Sequence, residues 1–272
     1  MSPAPVMQLD GAIVRPGGPD TPPVLKGCSL SVNPGEIVVM VGASGAGKTT
    51  ALRTIAGLLQ MEEGKLRAPD HIGWLPQHPL VTFDPRWPVI RSVEEPLRLA
   101  GAGRKEAHGR ALKLLESLKI SRMQWELRPV ALSGGQLRRA AIARALVTAP
   151  PLVLADEPTA GLDPIAAIGL IDLFRDHARK MKTGALWVTH DLGVASAVAD
   201  RVLVLADGRV VEAARMGRLA TNPRTDTTRK LLGSWMPLDA ASARRQLAKP
   251  GSVPANAAAW ISEEIDEQKE GE

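Results

Sequence analysis

The sequence predicts an α/β protein built on a mixed, largely parallel sheet, and three observations carry that prediction. Short apolar runs, too continuous for half-exposed strands, alternate with longer stretches of helical periodicity. One such run, Glu36–Val41, leads into a glycine-rich loop and then a helical pattern. Another, Leu152–Ala155, delivers two adjacent carboxylates, Asp156 and Glu157, at its C-terminal end, where parallel α/β sheets bind ligands.

Taken in order, Val6–Val14 and Val24–Val32 flank the Pro/Gly-rich Arg15–Pro23 and read as an N-terminal antiparallel strand pair. Glu36–Val41 is the first buried strand. Thr49–Leu59 follows as a helix, with Leu52, Ile55, Ala56 and Leu59 at helical spacing. Ile72–Leu75 is a further strand. From about Pro79 to Leu132 strand-like runs vanish, and Arg104–Leu118 sets Ala107, Ala111, Leu114, Leu115 and Leu118 on one face, so a helical insertion is expected there. Leu137–Leu146 is helical. Leu152–Ala155 and Ala185–Thr189 are buried strands, each followed by a helical stretch, and Asp207-Gly208 marks a hairpin between Arg201–Leu205 and Arg209–Glu212. Residues 1–233 thus read as one domain with an insertion at 79–132. Beyond Gly233 the chain turns rich in Ala, Pro, Ser and charge, and a mobile extension over 234–272 is expected.

Composition narrows the function classes. With 44% hydrophobic and 23% charged residues over 272 positions, the chain can bury a sizeable core. The single cysteine, Cys28, excludes a disulfide scaffold and fits a reducing compartment. No run approaches the roughly 18–20 apolar residues of a membrane-spanning helix, and Met1–Asp10 lacks a secretory pattern. A net charge of +5 permits contact with polyanions. However, the basic residues are scattered, and six Trp, two Phe and no Tyr supply few stacking platforms, so no nucleic acid partner is expected.

Gly42-Ala43-Ser44-Gly45-Ala46-Gly47-Lys48-Thr49 fits G-x-x-x-x-G-K-[ST] in the required strand–loop–helix context. Its glycines let backbone N–H groups turn toward phosphate oxygens, with the helix start aimed at them. Lys48 would neutralise β/γ charge, and Thr49 would offer a hydroxyl to Mg²⁺, an ion that takes few protein ligands because it dehydrates reluctantly. Ser44, Gly45 and Thr50 complete the phosphate-binding set. Phosphate binding alone does not make an enzyme: a helix dipole contributes about 0.3–2 kcal/mol, whereas catalysis supplies about 8–23 kcal/mol. Asp156 suits a Mg²⁺ ligand through water, and Glu157 would face the attacking water as general base or polarising group.

Leu132-Ser133-Gly134-Gly135-Gln136 opens the helix Leu137–Leu146, with Ser133 positioned to cap it. Read alone, such a serine–glycine turn is a helix cap, although a hydroxyl and glycine N–H groups at a helix start can also receive an anion. On this pentapeptide and the ordered motifs around it, the chain resembles the ATP-binding-cassette family over about residues 6–233. The resemblance implies ATP and Mg²⁺ as ligands and a head-to-tail dimer, identical or mixed. In that dimer Ser133, Gly134, Gly135 and Gln136 of one cassette close on the P-loop of the other. It further implies that Gln77 senses Mg²⁺ and water, that His190 contacts the γ-phosphate, and that Asp163, in Thr159–Asp163, communicates across the dimer. The chain departs from the family in one place: Ala12–Pro16 offers no aromatic residue for the base, leaving apolar contact or Arg15.

His78–Ile90, with Asp84-Pro85-Arg86, then Glu94–Leu97 and Asn222-Pro223-Arg224 before Thr228–Leu232, is similar to cassettes of oligopeptide, dipeptide and nickel importers. This implies ATP hydrolysis powering import of short peptides or nickel chelates from the cytoplasmic face of the inner membrane. The implied partners are two transmembrane permease subunits and, indirectly, an extracytoplasmic solute-binding protein. Docking would use the helical insertion, through Trp87, Trp125 or neighbouring residues, with ordinary packing the stronger reading for those tryptophans. A soluble cassette of a phosphonate-degrading assembly is the alternative.

Overall fold

The computed structural model describes residues 4–162 and 164–235; the extension expected over 234–272 lies almost wholly outside the described residues, as does Asp163. The chain opens with β1 (Met7–Val14) and β2 (Leu25–Val32), runs through β3 (Ile37–Val41) into α1 (Lys48–Ile55), then forms β4 (Glu63–Arg67) and β5 (Ile72–Leu75). A helical segment follows: a 3₁₀ turn at Pro79–Thr82, α2 (Val89–Leu99), α3 (Arg104–Ser117), α4 (Arg122–Trp125) and a 3₁₀ turn at Pro129–Ala131. Next come α5 (Gly134–Leu146), β6 (Leu152–Asp156), α6 (Pro164–Met181), β7 (Gly184–Val188), α7 (Leu192–Val198), β8 (Arg201–Ala206), β9 (Arg209–Ala214), α8 (Met216–Thr221) and α9 (Asp226–Trp235).

Two sheets result. The larger has the order β5-β6-β7-β3-β8-β9, parallel except for the antiparallel β9, and the smaller is the antiparallel β2-β1-β4. The central strands are continuous apolar runs because both faces are covered. In β3, Ile37, Val39 and Val41 pack into one core with the helices α2, α3, α5, α6 and α7, while Val38 and Met40 pack into a second core with α1, β1 and β2. The period-2 alternation of side chains therefore divides one strand between two cores. The predicted hairpin closes β8 onto β9, with Asp207 at φ 46° and Gly208 at φ 73°, the two positive φ values that a tight turn between twisted strands requires.

One boundary needs correction, one strand was not predicted, and one open alternative is decided. The helix after the P-loop ends at Ile55, because Gly57 and the turn Leu58 N–H→Arg53 O close it early. Glu63–Arg67 is a strand that carries no apolar pattern, since its residues are mostly exposed at the edge of the small sheet. Trp125 follows the packing reading and is unavailable for docking: it is 4% exposed and sits in the helical core beside α2. Among the described residues, no helix is long and apolar enough to cross a membrane.

Candidate nucleotide site

Parallel pairing brings the C-terminal ends of β5, β6, β7 and β3 to one edge of the large sheet, and the predicted residues follow those ends. Gly42 succeeds Val41, Glu157 succeeds Asp156, and His190 lies two residues past Val188. Gln77 lies two residues past Leu75, which pairs with Ala155, and its side chain is exposed.

The P-loop is shaped by two glycines with different tasks. A Cβ on Gly42 would stand 2.3 Å from the Leu205 carbonyl oxygen, so only glycine lets the loop leave β3 against β8. Gly47 takes φ 104° as N-cap of α1, a backbone region closed to most side chains. It makes no side-chain cap, and α1 has no acidic residue in its first turn, so the first-turn N–H groups remain as donors for an anion. Lys48, a residue only 9% exposed, donates from its ammonium to the Gly42 and Ala43 carbonyls at 2.8 and 2.9 Å, folding its stem over the loop. Burial pushes it below the usual lysine range, against the opposing pull of Glu157 and Asp156.

Thr49 donates from Oγ1 to Asp156 Oδ1 at 3.4 Å. Burial holds the Asp156 carboxyl above its ordinary range; the Thr49 bond, Arg53 and Lys48 lower it, while Glu157 raises it further. These are hard oxygen donors facing the glycine-rich loop, and a divalent cation would relieve the cost of that half-buried carboxylate. The pair therefore fits Mg²⁺, which needs no all-protein cage; among the described residues no group of three or more His, Cys, Asp or Glu could hold a metal alone.

Glu157 turns the chain out of the sheet. Its N–H still bonds the Val188 oxygen at 2.9 Å, yet its φ is 45°, a left-handed value that costs about 1–3 kcal/mol in a non-glycine residue unless its surroundings impose it. Its Oε1 lies 3.0 Å from His190 Nδ1. His190 is fixed on either side: Thr189 N–H bonds the Met40 oxygen of β3, and Asp191 caps α7 through Gly193 and Val194 N–H groups. A carboxylate and an imidazole thus meet beside the P-loop lysine.

The Ser133–Gln136 segment is a closed capping box. Ser133 Oγ accepts from Gln136 N–H at 3.3 Å, and Gln136 Oε1 accepts from Ser133 N–H at 2.9 Å. Among the described residues, nothing lies within 4 Å of a Cβ on Gly135, and one on Gly134 would meet only the Arg138 terminal nitrogen at 3.5 Å. Neither glycine is demanded by packing among the described residues.

Two features escaped the sequence reading. Arg138 donates from Nε to the Pro158 oxygen at 2.9 Å and from Nη2 to the Ala160 oxygen, tying α5 to the turn after Glu157. Glu212 on β9, 9% exposed, accepts from Arg224 N–H, Thr225 N–H and Oγ1, and Thr228 Oγ1, anchoring α9. Both are ordinary residue types whose partners lie far enough along the chain that no local pattern marks them. Arg15 is held by Glu62 at 2.9 Å and the Thr21 carbonyl at 2.7 Å. It directly follows Val14, which pairs with Leu25, and Leu25 in turn packs on Gly47 of the P-loop.

Comparison with known proteins gives this geometry a context. A family model described as ABC transporter matches residues 25–160. The methionine import ATP-binding protein MetN of Rhizobium etli is 38% identical over 229 residues, covering 79% of this chain and 63% of that protein, so the chain spans less than two thirds of that relative's length. The aliphatic sulfonates import ATP-binding protein SsuB 2 of Pseudomonas syringae is 40% identical over 194 residues, 71% of this chain and 68% of that one. The oligopeptide transport ATP-binding protein OppD of Mycobacterium tuberculosis is 35% identical over 254 residues, 85% of this chain and 42% of that one. A dimeric ATP-binding cassette solved in a post-hydrolysis state with ADP and Pi superposes with a TM-score of 0.69 at 29% identity, over 77% of this chain and 98% of that one. On the phosphate loop, the paired carboxylates, the serine–glycine helix start and these matches together, the chain belongs to the ABC transporter family, as one of its ATPase domains.

Proposed function

We propose that the chain is the ATP-binding and ATP-hydrolysing subunit of an importer, working as one half of a cassette dimer. The observation that carries this reading is the convergence of Lys48, Thr49, Asp156, Glu157 and His190 at one sheet edge. Gly42, Ser44, Gly45, Gly47, Lys48, Thr49 and Thr50 hold the triphosphate, while Thr49, Asp156 through water, and Gln77 would hold Mg²⁺. When bound, Mg²⁺ neutralises charge on the β- and γ-oxygens. Glu157 orients water and takes its proton, and His190, bonded to Glu157, keeps that carboxylate aimed while contacting the γ-phosphate. Arg15, next to the P-loop through Val14 and Leu25, offers its guanidinium face to the base in place of an aromatic ring.

The partner cassette contributes its own Ser133, Gly134, Gly135 and Gln136 to the γ-phosphate, and Asp163 meets the opposing cassette. The open space over Gly134 and Gly135 supports this role, since glycine weakens a helix and this chain gains no packing from it. ATP closes the dimer because it binds the closed state more tightly, and hydrolysis releases it. Docking on two permease subunits at the cytoplasmic face of the membrane uses the helical segment, where Val81, Met123 and Val130 are exposed. The importer relatives support a small solute, a short peptide first; nickel chelates draw no such support from them. An extracytoplasmic solute-binding protein would deliver it.

Glu157→Gln tests the reading: turnover should fall at least a hundredfold while ATP binding persists and a stable dimer accumulates. Unaltered turnover would remove Glu157 from the mechanism. Co-purification with membrane permeases is expected, and a soluble enzyme assembly instead would favour the phosphonate-degrading alternative.

A further inference from the structure

Arg138 occupies a position that neither phosphate binding nor helix capping explains. It stands one helical turn beyond Gly134, and its Nη1 lies 3.5 Å from where a Gly134 Cβ would be, so the guanidinium borders the serine–glycine segment directly. Its other edge grips the turn after Glu157: Nε donates to the Pro158 oxygen at 2.9 Å and Nη2 to the Ala160 oxygen. Ala160 in turn donates from its N–H to the Glu157 carbonyl at 3.0 Å, so the turn is one hydrogen-bonded unit with the strained residue at its start. A planar fork engaging two carbonyls on one side fixes orientation as well as distance, which a point charge cannot do. The group is half-buried, so few waters compete for those carbonyls.

We propose that Arg138 is a positioning residue that couples the two ATP sites of the dimer through one chain: engagement of Ser133–Gln136 at one site holds Glu157 in its water-orienting pose at the other. The inference rests on the dimeric reading above, in which these two segments serve different nucleotides. Strain at Glu157 persists only while its surroundings impose it, and the guanidinium clamp is the part of those surroundings that reaches the serine–glycine segment. Loosening the clamp leaves the P-loop untouched and lets Glu157 relax.

The test uses the full chain and steady-state ATP hydrolysis with a fluorescent-ATP binding titration. Arg138→Ala is expected to lower kcat at least tenfold with KM and nucleotide affinity within twofold of the parent, and to bring the Hill coefficient for ATP toward 1. Arg138→Lys, which keeps the charge without the fork, should recover less than half of kcat. A kcat within twofold of the parent, full rescue by lysine, or a loss expressed in KM instead would overturn the assignment. If Arg138→Ala fails to fold, as read by circular dichroism, Arg138→Gln carries the same readouts with one donor group retained. Failure of the dimeric reading shows separately, as a Glu157→Gln protein that stays monomeric with ATP.

Discussion

Gly135→Ala separates what this chain needs for itself from what it needs for a partner. Gly135 is the second residue of α5, and an added Cβ would meet nothing within 4 Å among the described residues. Alanine exceeds glycine in helix propensity by up to about 1 kcal/mol, with the first turn below that ceiling. The isolated chain should therefore be more stable, its thermal midpoint raised by at most about 2–4 °C for a domain of this size. In the proposed dimer the same methyl group would point into the gap where this segment approaches a γ-phosphate. Dimer affinity should fall at least tenfold, about 1.4 kcal/mol. Thermal unfolding of the nucleotide-free protein reads the first effect. Size-exclusion chromatography with ATP, on the Glu157→Gln background, reads the second. A variant that dimerises as readily as its parent, or unfolds at lower temperature without nucleotide, would refute the reasoning that Gly135 is kept for an incoming phosphate.

Other outcomes follow from the same structure. Gly42→Ala forces a Cβ onto the Leu205 oxygen and should destabilise the chain by about 3 kcal/mol in denaturant unfolding, with or without nucleotide. Asp156 binds its proton more tightly folded than unfolded because it is buried, so its cost is absent in acid and complete above its folded pKa. Asp156→Asn should accordingly raise nucleotide-free stability at neutral pH in thermal unfolding, while abolishing the additional stabilisation by Mg²⁺-ATP. Burial pushes the Glu212 carboxyl up, but its bonds to Thr228, Arg224 and Thr225 outweigh this and hold it below the ordinary 4.5. Its contribution is present above the unfolded pKa and lost as pH falls through the folded one. Glu212→Gln should cost about 1–3 kcal/mol at neutral pH and flatten that acid dependence, with hydrogen exchange over residues 224–235 as the local readout.

Local pattern alone marked the strands β3, β6, β7 and β8, because strands buried on both faces must be apolar throughout. It also marked the phosphate loop, whose spacing is dictated by backbone geometry within eight residues, and the Asp-Gly hairpin, whose φ values few other pairs tolerate. Ser133 as a helix cap was legible for the same reason: its partner Gln136 is three residues away. Tertiary structure decided the rest. Strand order in the large sheet is set by crossovers, and β4 is recognisable only by its pairing with β1, since exposed edge residues carry no hydrophobic period. Trp87 and Trp125 look alike in the sequence. Packing buries Trp125 in the helical core and leaves Trp87 partly exposed beneath the Arg91 guanidinium at 4.0 Å. The Arg138 clamp and the Glu212 anchor join residues at least 12 positions apart, a span over which sequence periodicity carries no information. The sequence determined which chemistry the chain can hold, because phosphate-binding loops are written in consecutive residues. Only the fold decided how its segments are tied together, because hydrogen bonds between distant elements depend on where packing brings them.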